Sequence, residues 1–168
     1  MRRSLLRTSL ALLLIAPAAN GYAATATTTF IVSATVLKVC TVTATNLGFG
    51  NYTPGSGAIA ATSTVGVNCS NSTAYTVDLN VGSTSGGTFA QRLLANGANT
   101  LQYNLYTNNT HTTIWGDTTG GTSDQSGTGA GLGTVQNFTV YGNLPDSATN
   151  QGAVPGVYTD TITVTVAY

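Results

Sequence analysis

Val157-Tyr158-Thr159-Asp160-Thr161-Ile162-Thr163-Val164-Thr165-Val166 sets Tyr158, Ile162, Val164 and Val166 on one face of an extended chain and threonines on the other. Successive side chains of a strand point to opposite sides, so a period of two reads directly as two faces. One apolar face and one hydroxyl face are what an antiparallel strand needs when only one side is buried. The reading extends the strand from Val157 to Ala167.

The same alternation recurs upstream. It is present in Phe30–Val36, Val39–Ala44, Thr64–Cys69, Tyr75–Val81, Leu101–Tyr106 and Val135–Tyr141. In Leu101–Tyr106, Leu101, Tyr103 and Leu105 share a face. Ser70-Asn71-Ser72-Thr73 separates two of the runs as a turn, and Gly116–Gly133 reads as a Gly/Thr/Ser-rich surface loop. No segment after the first two dozen residues has a helical period. Many short alternating strands without helices predict an all-β sandwich or barrel.

The N-terminus has a different composition. Arg2, Arg3 and Arg7 precede the apolar run Leu10–Ala16, Pro17 interrupts it, and Gly21-Tyr22-Ala23 offers a small-x-small cleavage site. That order predicts a secretory signal peptide over residues 1–23. The run falls well short of the ~20 residues of a spanning helix, so no membrane anchor is expected in the mature chain. The remaining 145 residues suit one domain. They carry two basic residues, Lys38 and Arg92, against five Asp and no Glu, a net charge of −3. So few cations cannot neutralise a run of phosphates, which argues against nucleic acid and anionic membranes as partners.

Cys40 and Cys69 are the only cysteines. In an exported chain an even pair most simply forms one disulfide. It would close a loop of about 30 residues and contribute on the order of 3–4 kcal/mol. A metal or redox pair is the competing reading, disfavoured because no other Cys or His lies near either residue.

Convergent catalytic groups are scarce. His111 is the single histidine and lies in Asn-Asn-Thr-His-Thr-Thr, a turn-like context. A carboxylate pair would have to be drawn from five scattered Asp. Asp117 and Asp124 flank a glycine-rich loop, but their spacing is not that of a calcium loop. Gly127–Gly133 lacks the lysine of a phosphate loop. Trp115 and the tyrosines could line a sugar-binding face, and core packing accounts for them equally. The expectation is a chain that is not an enzyme, with no cofactor and no metal.

Two features remain. The alternating segment before Cys40 lies outside the span bounded by the cysteines, and the last strand runs to Tyr168 with nothing after it. Exposed strands and open edges are aggregation hazards that most proteins suppress. A chain that polymerises through them uses the hazard as its assembly device.

Several segments, in order, resemble the spore coat protein U domain family, which includes subunits of archaic chaperone–usher pili. They are Cys40–Ala44, Leu47-Gly48-Phe49-Gly50-Asn51-Tyr52, Val65–Cys69, Tyr75–Leu79, Leu101–Tyr106, Trp115-Gly116-Asp117, Val140-Tyr141-Gly142-Asn143-Leu144-Pro145 and Pro155–Val166. The resemblance implies an incomplete immunoglobulin-like β-sandwich lacking its final strand, over residues 39–168. It also implies donor-strand complementation, in which the N-terminal strand of a neighbouring copy fills the gap that a periplasmic chaperone first occupies. The open place would lie between the final strand and the first domain strand, Val39–Ala44. The implied partners are copies of the chain or related subunits, the chaperone and an outer-membrane usher. The implied destination is a pilus on the cell surface, reached through the periplasm.

Within residues 24–38, the donor segment, Phe30, Val32, Ala34 and Val36 form a wholly apolar face, whereas Ile31, Ser33, Thr35 and Leu37 do not. The first set is therefore the one expected to enter a neighbour. Burying the phenylalanine and two valines would contribute on the order of 4–9 kcal/mol. Tyr158, Ile162, Val164 and Val166 are the expected lining of the acceptor groove. An ordinary first strand of the same domain is the other reading of residues 30–36. At the level of function, a pilus subunit serving adhesion or biofilm formation stands beside two alternatives: a structural component of a secreted spore or cell coat, and an adhesin domain binding a surface ligand.

Overall fold

The computed structural model describes residues 21–168, so most of the expected signal peptide lies outside the described residues. The chain divides into two compact units, residues 1–35 and Val36–Tyr168. In the first, residues 21–35 contain no helix or strand and are exposed. The reading of Phe30–Val36 as a strand of its own domain is corrected here. A strand exists through its ladder, and among the described residues none pairs with this segment.

The second unit has eight strands: β1 (Cys40–Ala44), β2 (Ile59–Cys69), β3 (Ala74–Leu79), β4 (Arg92–Asn96), β5 (Asn99–Tyr106), β6 (Gln125–Thr128), β7 (Gln136–Leu144) and β8 (Val164–Ala167). They form a five-stranded sheet in the order β1-β2-β7-β5-β4 and a three-stranded sheet in the order β6-β3-β8. Every strand pairing is antiparallel. The all-β architecture is that of an immunoglobulin-like sandwich.

The alternation seen in the sequence is what closes the core. Val65, Val67 and Cys69 of β2, Tyr75, Val77 and Leu79 of β3, and Leu101, Tyr103 and Leu105 of β5 are buried, with Val140 and Leu144 of β7. Each fully buried Val or Leu contributes about 1.5–3 kcal/mol relative to exposure. Trp115 lies wholly inside and its indole N–H donates to the Val77 carbonyl at 2.8 Å, so it is a core residue and not a sugar platform. The Ser70–Thr73 turn is present, with Ser72 at φ 60°.

Three readings need correction. The terminal run is not one strand. Thr159 bridges to Ala95 of β4, in the five-stranded sheet, and only Val164–Ala167 pair with β3, in the other. Gly116–Gly133 is not all loop, because it contains β6, where Gly127 lies directly under the Tyr75 hydroxyl. That glycine serves close approach, not flexibility. The helix-free reading misses one turn, α1 (Ala148–Gln151), capped by Ser147 and anchored by buried Asn150, whose side-chain amide pairs with the backbone of Gln102 at 2.8 and 2.9 Å.

Candidate functional site

Val42 and Ala44 of β1 stand opposite Val67 and Val65 of β2. Residues directly opposite in an antiparallel pair share a face. Yet Val67 is 0% exposed and Val42 is 40% exposed. The core is therefore uncovered along β1, an edge strand paired only with β2. On the other sheet, β8 is an edge strand paired only with β3, and its inward-facing Val164 and Val166 are half-buried.

A cavity of about 490 Å³ opens between these edges, walled by Ala44, Ile162 and Val164 and floored by Val65, Leu79, Leu105 and Val140. A second, of about 730 Å³, is floored by Leu101 and Leu144 and rimmed by Pro155, Val157 and Tyr158. Leu47, Phe49, Leu94, Thr159 and Asp160 line both, so the two form successive parts of one groove along the terminal stretch. Of the residues expected in the groove, Ile162 and Val164 line the first part and Tyr158 the second. Val166 lines neither and packs against the core, paired with Val77. Phe30, Val32, Ala34 and Val36 are all exposed, but so are Ile31 and Leu37, so exposure does not single out a face.

Asp160 holds the bend where the terminal stretch leaves one sheet for the other. One carboxylate oxygen accepts from the N–H and hydroxyl of both Ser83 and Thr84 at 2.9–3.1 Å. The other accepts from the Tyr103 hydroxyl at 2.6 Å. Burial pushes this carboxyl up, but the hydrogen bonds from Tyr103, Thr161 and Ser83 outweigh it and leave it below the usual range. Burial, reinforced by Asp160, drives the Tyr103 hydroxyl far above its ordinary value. Asp160 was read only as part of a motif, although it is the one charged side chain on the face of Tyr158 and Ile162 and so interrupts the apolar set at the corner.

A second carboxylate fastens the segment after β1. Asp146 accepts from the Tyr52 hydroxyl at 2.5 Å and from the N–H groups of Gly55 and Gly57 at 3.0 and 2.9 Å. These bonds hold Asp146 below the usual carboxylate range. Burial and the neighbouring Asp146 push Tyr52 up to about 12.

Arg92, counted among the charges of the mature chain, is wholly buried. Its guanidinium donates to the carbonyls of Asn80 and Trp115 and to the side chain of Asn104 at 2.7–3.0 Å. Burial lowers it to about 10, so it stays charged at neutral pH. It joins β4 to the core next to the groove and carries no role in binding phosphate.

Cys40 and Cys69 are bonded, S–S 2.03 Å, tying the first residue of β1 to the last of β2. His111 sits in a turn at φ 53°, its ring 5.2 Å from that of Tyr106. Asp117 caps its own turn by accepting from the Thr119 hydroxyl and N–H. Among the described residues no helix is long and apolar enough to cross a membrane. Nor do three or more His, Cys, Asp or Glu gather as metal ligands among them.

The sequence model of the Spore Coat Protein U domain matches residues 26–165. No curated protein matches the chain. Among solved structures it is similar to a chain in the CsuC–CsuE chaperone–tip adhesion subunit pre-assembly complex from archaic chaperone–usher Csu pili of Acinetobacter baumannii. The identity is 25% and the TM-score 0.57, over 80% of this chain and 41% of that one. This chain thus spans about two-fifths of the length of that neighbour.

Proposed function

We propose a role from a plain premise: the chain belongs to the Spore Coat Protein U domain family. It is a structural subunit of a surface pilus, exported through the periplasm and polymerised by donor-strand complementation, serving adhesion or biofilm formation. The sandwich is incomplete, and residues 24–38 of one copy complete the next. A periplasmic chaperone covers the groove before assembly, and an outer-membrane usher receives the subunit. The likeness to a chaperone–subunit complex supports the chaperone as partner.

The observation that carries this reading is the pair of unpaired edges, β1 and β8, with core side chains lining the groove between them. Soluble monomers rarely leave connected apolar surface open without a use. A strand laid along β8 would satisfy the free N–H and C=O groups of its edge and cover Ile162 and Val164. The chain also carries an apolar alternating segment with no secondary structure and exposed side chains, Phe30 at 85% and Val32 at 82%. This reading calls for no catalytic role, since the site works by strand exchange and no covalent bond is made or broken. A secreted coat built by the same exchange is the second reading, favoured by the family's name.

The test is a pair of substitutions. Val32→Asp puts a carboxylate where the neighbour's core would receive it, and an unpaired buried charge is expensive. Thr35→Asp puts the same charge on the opposite face. Electron microscopy should show polymers lost in the first and kept in the second. Equal behaviour of the two would refute the donor face, and full polymerisation of both would refute the donor segment.

A further inference from the structure

The groove is interrupted from within. Leu47 and Phe49 line both of its parts. They press on β7 so closely that a Cβ at Gly142 would lie 2.8 Å from Leu47 and 3.1 Å from Phe49. Gly142 lies between inward-facing Val140 and Leu144, so both side chains sit between the sheets, over otherwise open core. The Phe49 ring meets Tyr103 edge-on at 6.0 Å.

The backbone that carries them is held differently from the sandwich. Thr45 N–H donates to Thr64 at 3.0 Å, and at the far end Tyr52, Gly55 and Gly57 bind Asp146. Between these anchors, residues 46–51 make no hydrogen bond among the described residues. Gly50, beside Phe49, has φ 71°, a left-handed conformation that glycine takes without steric cost. Segments with few backbone hydrogen bonds and half-buried side chains open at low cost compared with sheet strands. Thr159 and Asp160 line the groove at the same place as Leu47 and Phe49. A strand added along the terminal stretch, from Val164 back to Thr159, would therefore run into those two side chains.

We propose that Leu47 and Phe49 form an intrachain plug, which covers the acceptor groove of the free subunit and is displaced by the incoming strand. The plug rests on the acceptor-groove reading and adds a step to it. It protects the open core while no partner is present, and it makes strand entry a competition between two apolar segments. The alternative arrangement is a fixed wall, against which the donor packs and which it never moves.

The two are separated by the sign of an effect. A fluorescent peptide of residues 24–38 is mixed with the dilute mature chain, and its rate of uptake is followed. Phe49→Ala weakens a plug and should raise the rate about tenfold, equivalent to about 1.4 kcal/mol. If that variant does not fold, Phe49→Leu replaces it, with a smaller increase expected. Fluorine NMR of the otherwise unaltered chain with 4-fluorophenylalanine at position 49 gives an independent measure. Its signal should move to a solvent-exposed position when the peptide binds. Unchanged or slower uptake by the variants, or a fluorine signal that stays buried in the bound state, overturns the plug. Peptide uptake by Phe49→Ala but not by the natural chain would be the plug in its strongest form. Uptake by neither overturns the acceptor reading itself, and the plug with it.

Discussion

Strands β3 and β8 lie side by side in one sheet, and their residues face one another as Val77↔Val166 and Leu79↔Val164. Both alternate apolar and polar side chains, and both direct the apolar set inward. Val77 and Leu79 are 0% and 1% exposed, whereas Val164 and Val166 are only half-buried. The difference is the number of neighbours. β3 is flanked by β6 and β8, while β8 has β3 alone. Alternation chooses the face a side chain takes. It does not decide whether anything covers that face.

The largest expected effect concerns the covalent tie at the other wall of the groove. Joint Cys40→Ser and Cys69→Ser substitution should cost about 3–4 kcal/mol in urea unfolding, by the chain-entropy estimate for a loop of this length. It should also make β1 exchange its amides as readily as β8. An unchanged unfolding midpoint would show that β1 is held by its ladder alone and that the two walls were equal from the start.

Next comes the cleanest form of the comparison, one residue type at two paired positions. Val77→Ala removes two methyl groups from a closed site and should cost about 2–3 kcal/mol, transfer and cavity together. Val166→Ala should cost about 1 kcal/mol or less in the free subunit, where water already reaches the site. Adding a saturating peptide of residues 24–38 should raise the second cost toward the first. Equal costs without peptide would break the contrast between the strands.

The smallest effect is a pH dependence confined to the groove side. Asp146 lies below its unfolded value of 3.8, so its contribution is present above that value and is lost as pH falls through the folded one. Tyr52 is raised from 10.0 to about 12, so its contribution is present below 10 and is lost as pH rises through about 12. The clasp should thus be intact from about pH 4 to about pH 10, read as slow amide exchange at Gly55 and Gly57 after correction for intrinsic rates. Tyr52→Phe should remove the alkaline limb and weaken the acid one, because the Tyr52 hydroxyl is the largest of the bonds that hold Asp146 low while Gly55 and Gly57 still donate to it. Parallel loss of protection in the β3–β8 ladder over the same ranges would mean that the clasp is not local.

What could be read in advance follows the same division. The cores of β2, β3, β5 and β7 were legible because each is a regular alternation with neighbours on both sides. The terminal run was read on the correct face but too long. Threonines continue at every second position from Thr159 to Thr165, but the chain changes sheets at Asp160, the one charged residue on the face of Tyr158 and Ile162, and a single break in an apolar set does not by itself spell a corner. β4, Arg92-Leu93-Leu94-Ala95-Asn96, has neither strict alternation nor β-branched residues, and it is a strand because Gly97 folds it back on β5. In the groove, Ile162 and Val164 were legible as an apolar face. Leu47 and Phe49 stood only as part of a motif, because their place depends on Gly142, almost a hundred residues further along. Arg92 entered only as one charge in a net count, because composition cannot show that a guanidinium has three buried acceptors waiting for it.

The disulfide has one more consequence, a mechanical one. In a fibre of the proposed kind, tension reaches each subunit through the segment just before Cys40. Pulled there, an edge strand would peel from its neighbour rung by rung, the weakest direction in which a ladder can be loaded. The bond sits on the first rung, Cys40 opposite Cys69. Load entering the strand therefore passes at once to the end of β2, which is laddered to β1 and, from Ile59 to Val67, to β7. A strand that would unzip becomes one that must be sheared with its neighbours, and the force is shared across many hydrogen bonds simultaneously.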